Sequence, residues 1–121
     1  MTDNLIQLII SEAIREYGNY AYLDIFNKMT SLIQIENYLS KHIRHDMLEY
    51  IFSAVCNYRD HMVKARMDVI IAYNESLKLI FNILPREIII LKYDDYMKCL
   101  INLENHDVSR MISQMSNMLC N

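Results

Sequence analysis

The side chains best suited to chemistry in this chain are His42, His45 and Glu49, which stand at i, i+3 and i+7. On one continuous helix that spacing brings them to one face. Two imidazoles and a carboxylate can then hold zinc or another transition metal. The i, i+4 histidine pair of a zinc protease helix is missing, and a helix that begins only near Asp46 disperses the set. Cys56 and His61 have the types of a nucleophile and a base, but only a bend in the fold can bring them together. A chain whose only glycine is Gly18 has few loops from which to build an oxyanion hole. It also lacks a glycine-rich phosphate loop. Asp94 and Asp95, beside Tyr93, sit on successive helical positions and point apart, an arrangement that complements a helix N-terminus. The expectation is a protein that is not an enzyme and that carries no cofactor or metal.

The elements that position these residues follow from what the chain lacks. One glycine and one proline, Pro85, leave almost no residues for positive φ or tight β-turns. With 121 residues and a hydrophobic fraction of 53%, there is enough apolar mass for one core. The expectation is all-α, a single domain over residues 1–121, folded as a compact bundle of about seven helices.

Helical periodicity places those helices. Thr2 or Asp3 can cap a first helix with Leu5, Ile6, Leu8, Ile9, Ile10, Ala13, Ile14 and Tyr17 apolar, leaving Gln7, Glu12, Arg15 and Glu16 for solvent. Gly18 stands where a left-handed C-cap is needed. Tyr22, Leu23, Phe26 and Met29 mark a second helix, and Leu32, Ile33, Ile35, Tyr38 and Leu39 a third, punctuated by Thr30 and Ser31. Asp46 opens a helix through Tyr58, and residues 60–83 form the longest periodic segment. Pro85 fits the first turn of another helix, and residues 93–104 repeat the helical spacing. Asp107 is the expected N-cap of a last helix carrying Val108, Met111, Ile112, Met115, Met118 and Leu119.

The most apolar stretch, "DVIIAYNESLKLIFNILPREIII" from residue 68, holds the polar insert Tyr73-Asn74-Glu75-Ser76. At about 100° per residue, Val69, Ile70, Tyr73, Leu77, Ile80, Phe81 and Leu84 share one arc about a third of the circumference wide. Glu75, Lys78 and Asn82 lie opposite, and Asn74 and Ser76 fall at the borders. Ile71 and Leu79 flank Glu75 on a face that a surface helix keeps polar. A central helix with neighbours on most sides explains this, and so does a stripe covered by a partner.

Charge and cysteine usage bound the partners. The net charge is −3 and the basic residues are scattered, so no nucleic-acid partner is expected. Cys56, Cys99 and Cys120, an odd and widely spaced set, read as reduced thiols of the cytoplasm or nucleus. The start does not look like a signal sequence, and no apolar run approaches the ~20 residues of a membrane span, so no membrane insertion is expected.

Nine methionines and nine tyrosines exceed what one small core uses, and both types suit adaptable binding surfaces. The broad apolar arc of the first helix adds to this. The candidate protein-interaction residues are Leu5, Ile9, Tyr17, Tyr20, Tyr22, Ile71, Glu75, Leu79, Tyr93 and Tyr96. The first helix and the 93–104 segment can also form a homodimer face.

From Ala65 onward, "ARMDVIIAYNESLKLIFNIL" followed by "LKYDDYMKCLINLE" resembles the small poxviral Bcl-2-like proteins, in which a hydrophobic central helix precedes an amphipathic one ending in an acidic residue. The resemblance implies a virus-encoded bundle around that central helix, here about residues 60–83. Members that bind pro-apoptotic helices carry an Asn-Trp-Gly-Arg-like motif before the central helix, and this chain has no tryptophan and no glycine after Gly18. Members without that motif and without a tail anchor inhibit host innate signalling toward NF-κB or interferon factors by occupying adaptor proteins. The implied role is inhibition of host innate immune signalling or apoptosis through a host protein, in the host cytoplasm. The alternative is a structural or assembly subunit of a larger replication or transcription complex.

Overall fold

A computed structural model describes residues 2–103, and in it the expected all-α bundle is present. Its seven helices are α1 (Thr2–Tyr17), α2 (Tyr20–Asn27), α3 (Leu32–His42), α4 (His45–Asn57), α5 (Arg59–Met62), α6 (Met67–Ile83) and α7 (Arg86–Cys99). No strand occurs among the described residues. The helix expected after Asp107, with Met111 and Met115, lies outside them.

Helix α6 is the hub, packed against α1, α3, α4, α5 and α7. Its buried Ile70, Tyr73, Leu77 and Ile80 meet one continuous core. That core is built from Ile6, Ile10 and Ile14 of α1, Phe26 of α2, Leu39 of α3, and Leu48, Ile51 and Phe52 of α4. In α1 the buried positions recur at i, i+4 and i+8, the row that ridge-into-groove packing needs. Each such side chain contributes about 1.5–3 kcal/mol relative to exposure.

Local signals set the helix ends. Asn19 caps α2 by accepting from the Tyr22 amide at 3.3 Å. Ser31 caps α3 by accepting from the Gln34 amide at 3.3 Å, while Gln34 Oε1 accepts from the Thr30 amide at 2.8 Å. This is a reciprocal arrangement of the capping-box kind. The chain turns out of α1 at Gly18, whose φ is 93°. Its N–H donates to the carbonyls of Ile14 at 3.2 Å and Arg15 at 3.0 Å.

Several expected boundaries move. The segment 60–83 is not one helix. It is α5, then a turn through Ala65 and an extended Arg66 with ψ of 155°, then α6. The Arg66 carbonyl accepts from the Val69 and Ile70 amides, and the Asp68 carboxylate accepts from the Val69 amide and pairs with Arg66. A new helix start is thereby furnished inside an unbroken apolar period. Pro85 and residues 93–104 do not make separate pieces. The Pro85 carbonyl receives the amides of Ile88 and Ile89, and α7 runs on to Cys99, where Leu100 turns extended. Asp94 and Asp95 are therefore mid-helix, away from any helix start. Helix α1 already includes Thr2 and Asp3, and α4 begins at His45 after an extended Arg44 rather than at Asp46. Gln7, expected in solvent, is half-buried and donates to the carbonyls of Phe26 at 3.0 Å and Met29 at 2.7 Å.

Apart from Gly18 and its two chain neighbours, no atom lies within 4 Å of the position a Cβ would take there, so a side chain meets backbone strain and no clash. Gly18→Ala is expected to lower stability by about 1 kcal/mol in urea denaturation, and Gly18→Asn by less, because asparagine tolerates the left-handed region.

Candidate interaction surface

The polar insert of α6 is a clasp for the end of α7. Tyr73 belongs to the apolar arc and is fully buried, so its hydroxyl must find an acceptor inside the protein. It donates to the Cys99 carbonyl at 3.1 Å. As the last residue of α7, Cys99 has a carbonyl that no later helical amide satisfies. At the next residue, Asn74 Nδ2 donates to the Ile101 carbonyl at 2.8 Å, and the Ile101 amide donates to Asn74 Oδ1 at 3.0 Å. Ser76 is buried and returns its hydroxyl to the Ala72 carbonyl at 2.7 Å. Glu75 alone of the four stays exposed, and it makes no ion pair with Lys78 among the described residues.

An aromatic column fixes the roll of α7. Tyr96 stacks on Phe81 with ring centroids 4.1 Å apart and planes 4° from parallel, and Phe81 leans on Phe52 at 5.9 Å and on Tyr93 at 6.5 Å. Burial, and then the neighbouring Glu75 carboxylate, pushes the Tyr96 pKa up. With Ile88, Ile89, Tyr96 and Cys99 half-buried against the core, the opposite side of α7 faces out. It carries Ile90 (72% exposed), Leu91 (77%), Tyr93 (53%) and Met97 (51%). Ile90, Tyr93 and Met97 stand at i, i+3 and i+7, one helical row, with Leu91 beside it.

A second apolar surface lies between α1 and α5, a groove of about 380 Å³ lined by Leu5, Leu8, Ile9, Tyr58, Met62 and Val69, with Glu12, Glu16 and His61 at its polar parts. Here the Tyr58 hydroxyl is buried without a well-formed hydrogen bond. Burial, followed by the adjacent Glu16 carboxylate, raises its pKa well above the ordinary value.

The ten residues expected to interact are spread over separate places. Glu75, Tyr93 and Tyr96 gather around Phe81 at the α6–α7 edge. Leu5 and Ile9 line the α1–α5 groove, but Ile9 is buried and belongs to the core. Tyr17 meets Tyr50 edge-on at 5.3 Å, Tyr22 meets Tyr38 at 6.2 Å, and Tyr20 is exposed. Ile71 and Leu79 are half-buried on α6, Leu79 against the core. Sequence reasoning missed Leu8, Ile90, Leu91 and Met97 as surface residues. The signal was present in Ile88-Ile89-Ile90-Leu91, because successive residues turn by about 100° and a run of that length cannot all face inward.

The chemical candidates do not gather at one centre, although His42 and His45 line one surface pocket. His42 ends α3 with its ring 5.5 Å from that of Tyr38, His45 opens α4 beyond the extended Ile43 and Arg44, and Glu49 lies 3.7 Å from Lys92 Nζ. The described residues hold no group of three or more histidine, cysteine, aspartate or glutamate side chains placed to share a metal ion. Cys56 faces α7, while His61 lines the α1 groove. None of the described helices is long and apolar enough to cross a membrane. No known family model, curated protein or solved structure matches the chain.

Asn74→Leu keeps the size of the side chain but leaves the Ile101 amide and carbonyl unpaired. It is expected to cost about 1–3 kcal/mol in chemical denaturation and to speed amide exchange at Ile101. Alkaline pH should unfold the protein early. Burial first raises Tyr58 and Tyr73 above their ordinary 10.0 and Cys56 above its ordinary 9.0. In the unfolded chain these groups release protons at their ordinary values while the folded chain keeps them. Stability is therefore complete below about pH 9 and falls as pH rises beyond it. Melting temperatures measured from pH 7 to 11 are expected to decline above pH 9, with a flatter decline in Tyr73→Phe.

Proposed function

We propose that this chain is a non-catalytic protein–protein interaction module whose outer α7 face meets a partner. The observation that carries the reading is the exposed row Ile90, Tyr93 and Met97 with Leu91 beside it. Grouped large apolar side chains of this kind mark binding surfaces, and tyrosine and methionine are enriched in interface cores. Exposed Glu87, Asp94 and Lys98 interleave with them as a polar rim.

The likeness to poxviral Bcl-2-like proteins narrows the partner to a host signalling or apoptosis protein. Support for it comes from α6, which packs against five other helices as a central helix does. On this reading the protein is virus-encoded, acts in the host cytoplasm, and inhibits innate signalling toward NF-κB or interferon factors by occupying an adaptor. A second reading, a subunit of a larger assembly, draws on the separate apolar groove between α1 and α5, which offers a second contact.

The test is a double variant, Ile90→Asp with Leu91→Asp, on residues that contribute little to the core. The wild type is expected to lower NF-κB or interferon reporter output in transfected cells and to co-purify with one host protein. The variant, with helical circular dichroism unchanged, is expected to lose both. Equal reporter output with and without the wild type, alongside co-purification of proteins from its own genome, would move the assembly reading to first place. Undiminished binding by the variant would remove α7 as the surface.

A further inference from the structure

Cys56 stands in the last turns of α4 and Cys99 ends α7, and both line one pocket of about 350 Å³ with Ser53, Asn57, Asp95 and Lys98. Distant in sequence, the two thiols line one pocket where α4 and α7 pack. Their backbones are held on both sides. The Cys99 carbonyl receives the Tyr73 hydroxyl, and Ile101 is clasped by Asn74. Next to Cys56, Phe52 and Val55 are buried in the core. Both cysteines are half-buried, so a small oxidant entering the pocket reaches them. Two half-buried thiols that line one pocket on packed helices are the pair from which a disulfide between α4 and α7 can form.

We propose that Cys56 and Cys99 are a modification site, a dithiol that a hydroperoxide converts reversibly to a disulfide joining α4 to α7. In the first step the Cys99 thiolate attacks the peroxide, an S–O bond forms, the O–O bond breaks, and the leaving oxygen takes a proton as water or an alcohol. In the second the Cys56 sulfur attacks the Cys99 sulfenic acid, the S–S bond forms, the S–O bond breaks, and hydroxide leaves as water with the Cys56 proton. The two thiols lose two electrons and the peroxide gains them. The order follows from the surroundings. Burial, and then the neighbouring Cys99 thiol, keep Cys56 protonated, so Cys99 attacks and Cys56 resolves. The bond itself does not rest on the interaction reading, but it would tie down the helix that bears the exposed apolar row.

The reduced full chain is treated with hydrogen peroxide and analysed by intact mass and non-reducing peptide mapping. A loss of about 2 Da is expected, with the peptides of Cys56 and Cys99 joined and separated again by dithiothreitol. Cys120→Ser should form the same bond at an unchanged rate. In Cys56→Ser a sulfenic acid at Cys99 should be trapped by dimedone, and Cys99→Ser should oxidise at Cys56 at least tenfold more slowly. A bond that uses Cys120, or stepwise oxidation of Cys99 to the sulfinic acid with Cys56 left free in the wild type, would overturn the proposal.

Discussion

A buried phenol sets much of this architecture. Tyr73 lies on the inward side of α6, and its hydroxyl has no water to turn to. The acceptor it finds is a carbonyl that α7 leaves open by ending. That hydrogen bond places the end of α7 over the middle of α6, and Asn74 repeats the grip on Ile101. Once the C-terminal end is fixed and Tyr96 is stacked on Phe81, α7 has one roll angle left. Its outward apolar row is therefore a consequence of polar satisfaction inside.

The second surface has a different origin. Helix α5 is a single turn, set apart from α6 by the extended Arg66. Met62 and His61 consequently stand over α1 without a following turn to close the seam. The two surfaces lie on different helices, one on α7 and the other between α1 and α5.

How much of this was legible in the residues depends on range. Helix content, the scarcity of loops and the left-handed turn at Gly18 are local matters, and a one-dimensional pattern reports them well. The apolar arc of 69–84 correctly placed Tyr73 inside and Glu75 outside, because the period of a helix is fixed whatever surrounds it. The break at 63–66 is hidden because Val63 and Ala65 carry the apolar pattern through it, while the extended Arg66 and the ion pair and amide contact of Asp68 mark the new start. Asn74 reads only as a border residue of the arc, since its partner at Ile101 lies far along the chain. Spacing alone could not show that the extended Ile43 and Arg44 part α3 from α4, so that His42 and His45 stand on different helices. The tyrosines were recognised as numerous but not sorted, because their ring partners Phe81, Tyr50 and Tyr38 come from other parts of the chain.

The packing of α1 on α6 also shapes how the chain is born. The isoleucines of α1 leave the ribosome well before α6, the helix that covers them, which is encoded downstream. At about 5–20 residues per second, their principal partner follows several seconds later, longer than a small chain takes to collapse. In that interval α1 can bury its face only against α2 and α4, which emerge in between and pack on it in the finished fold. The nascent protein is thus a partial bundle that waits for its centre, and during that wait it offers chaperones the surface that the mature molecule hides most completely.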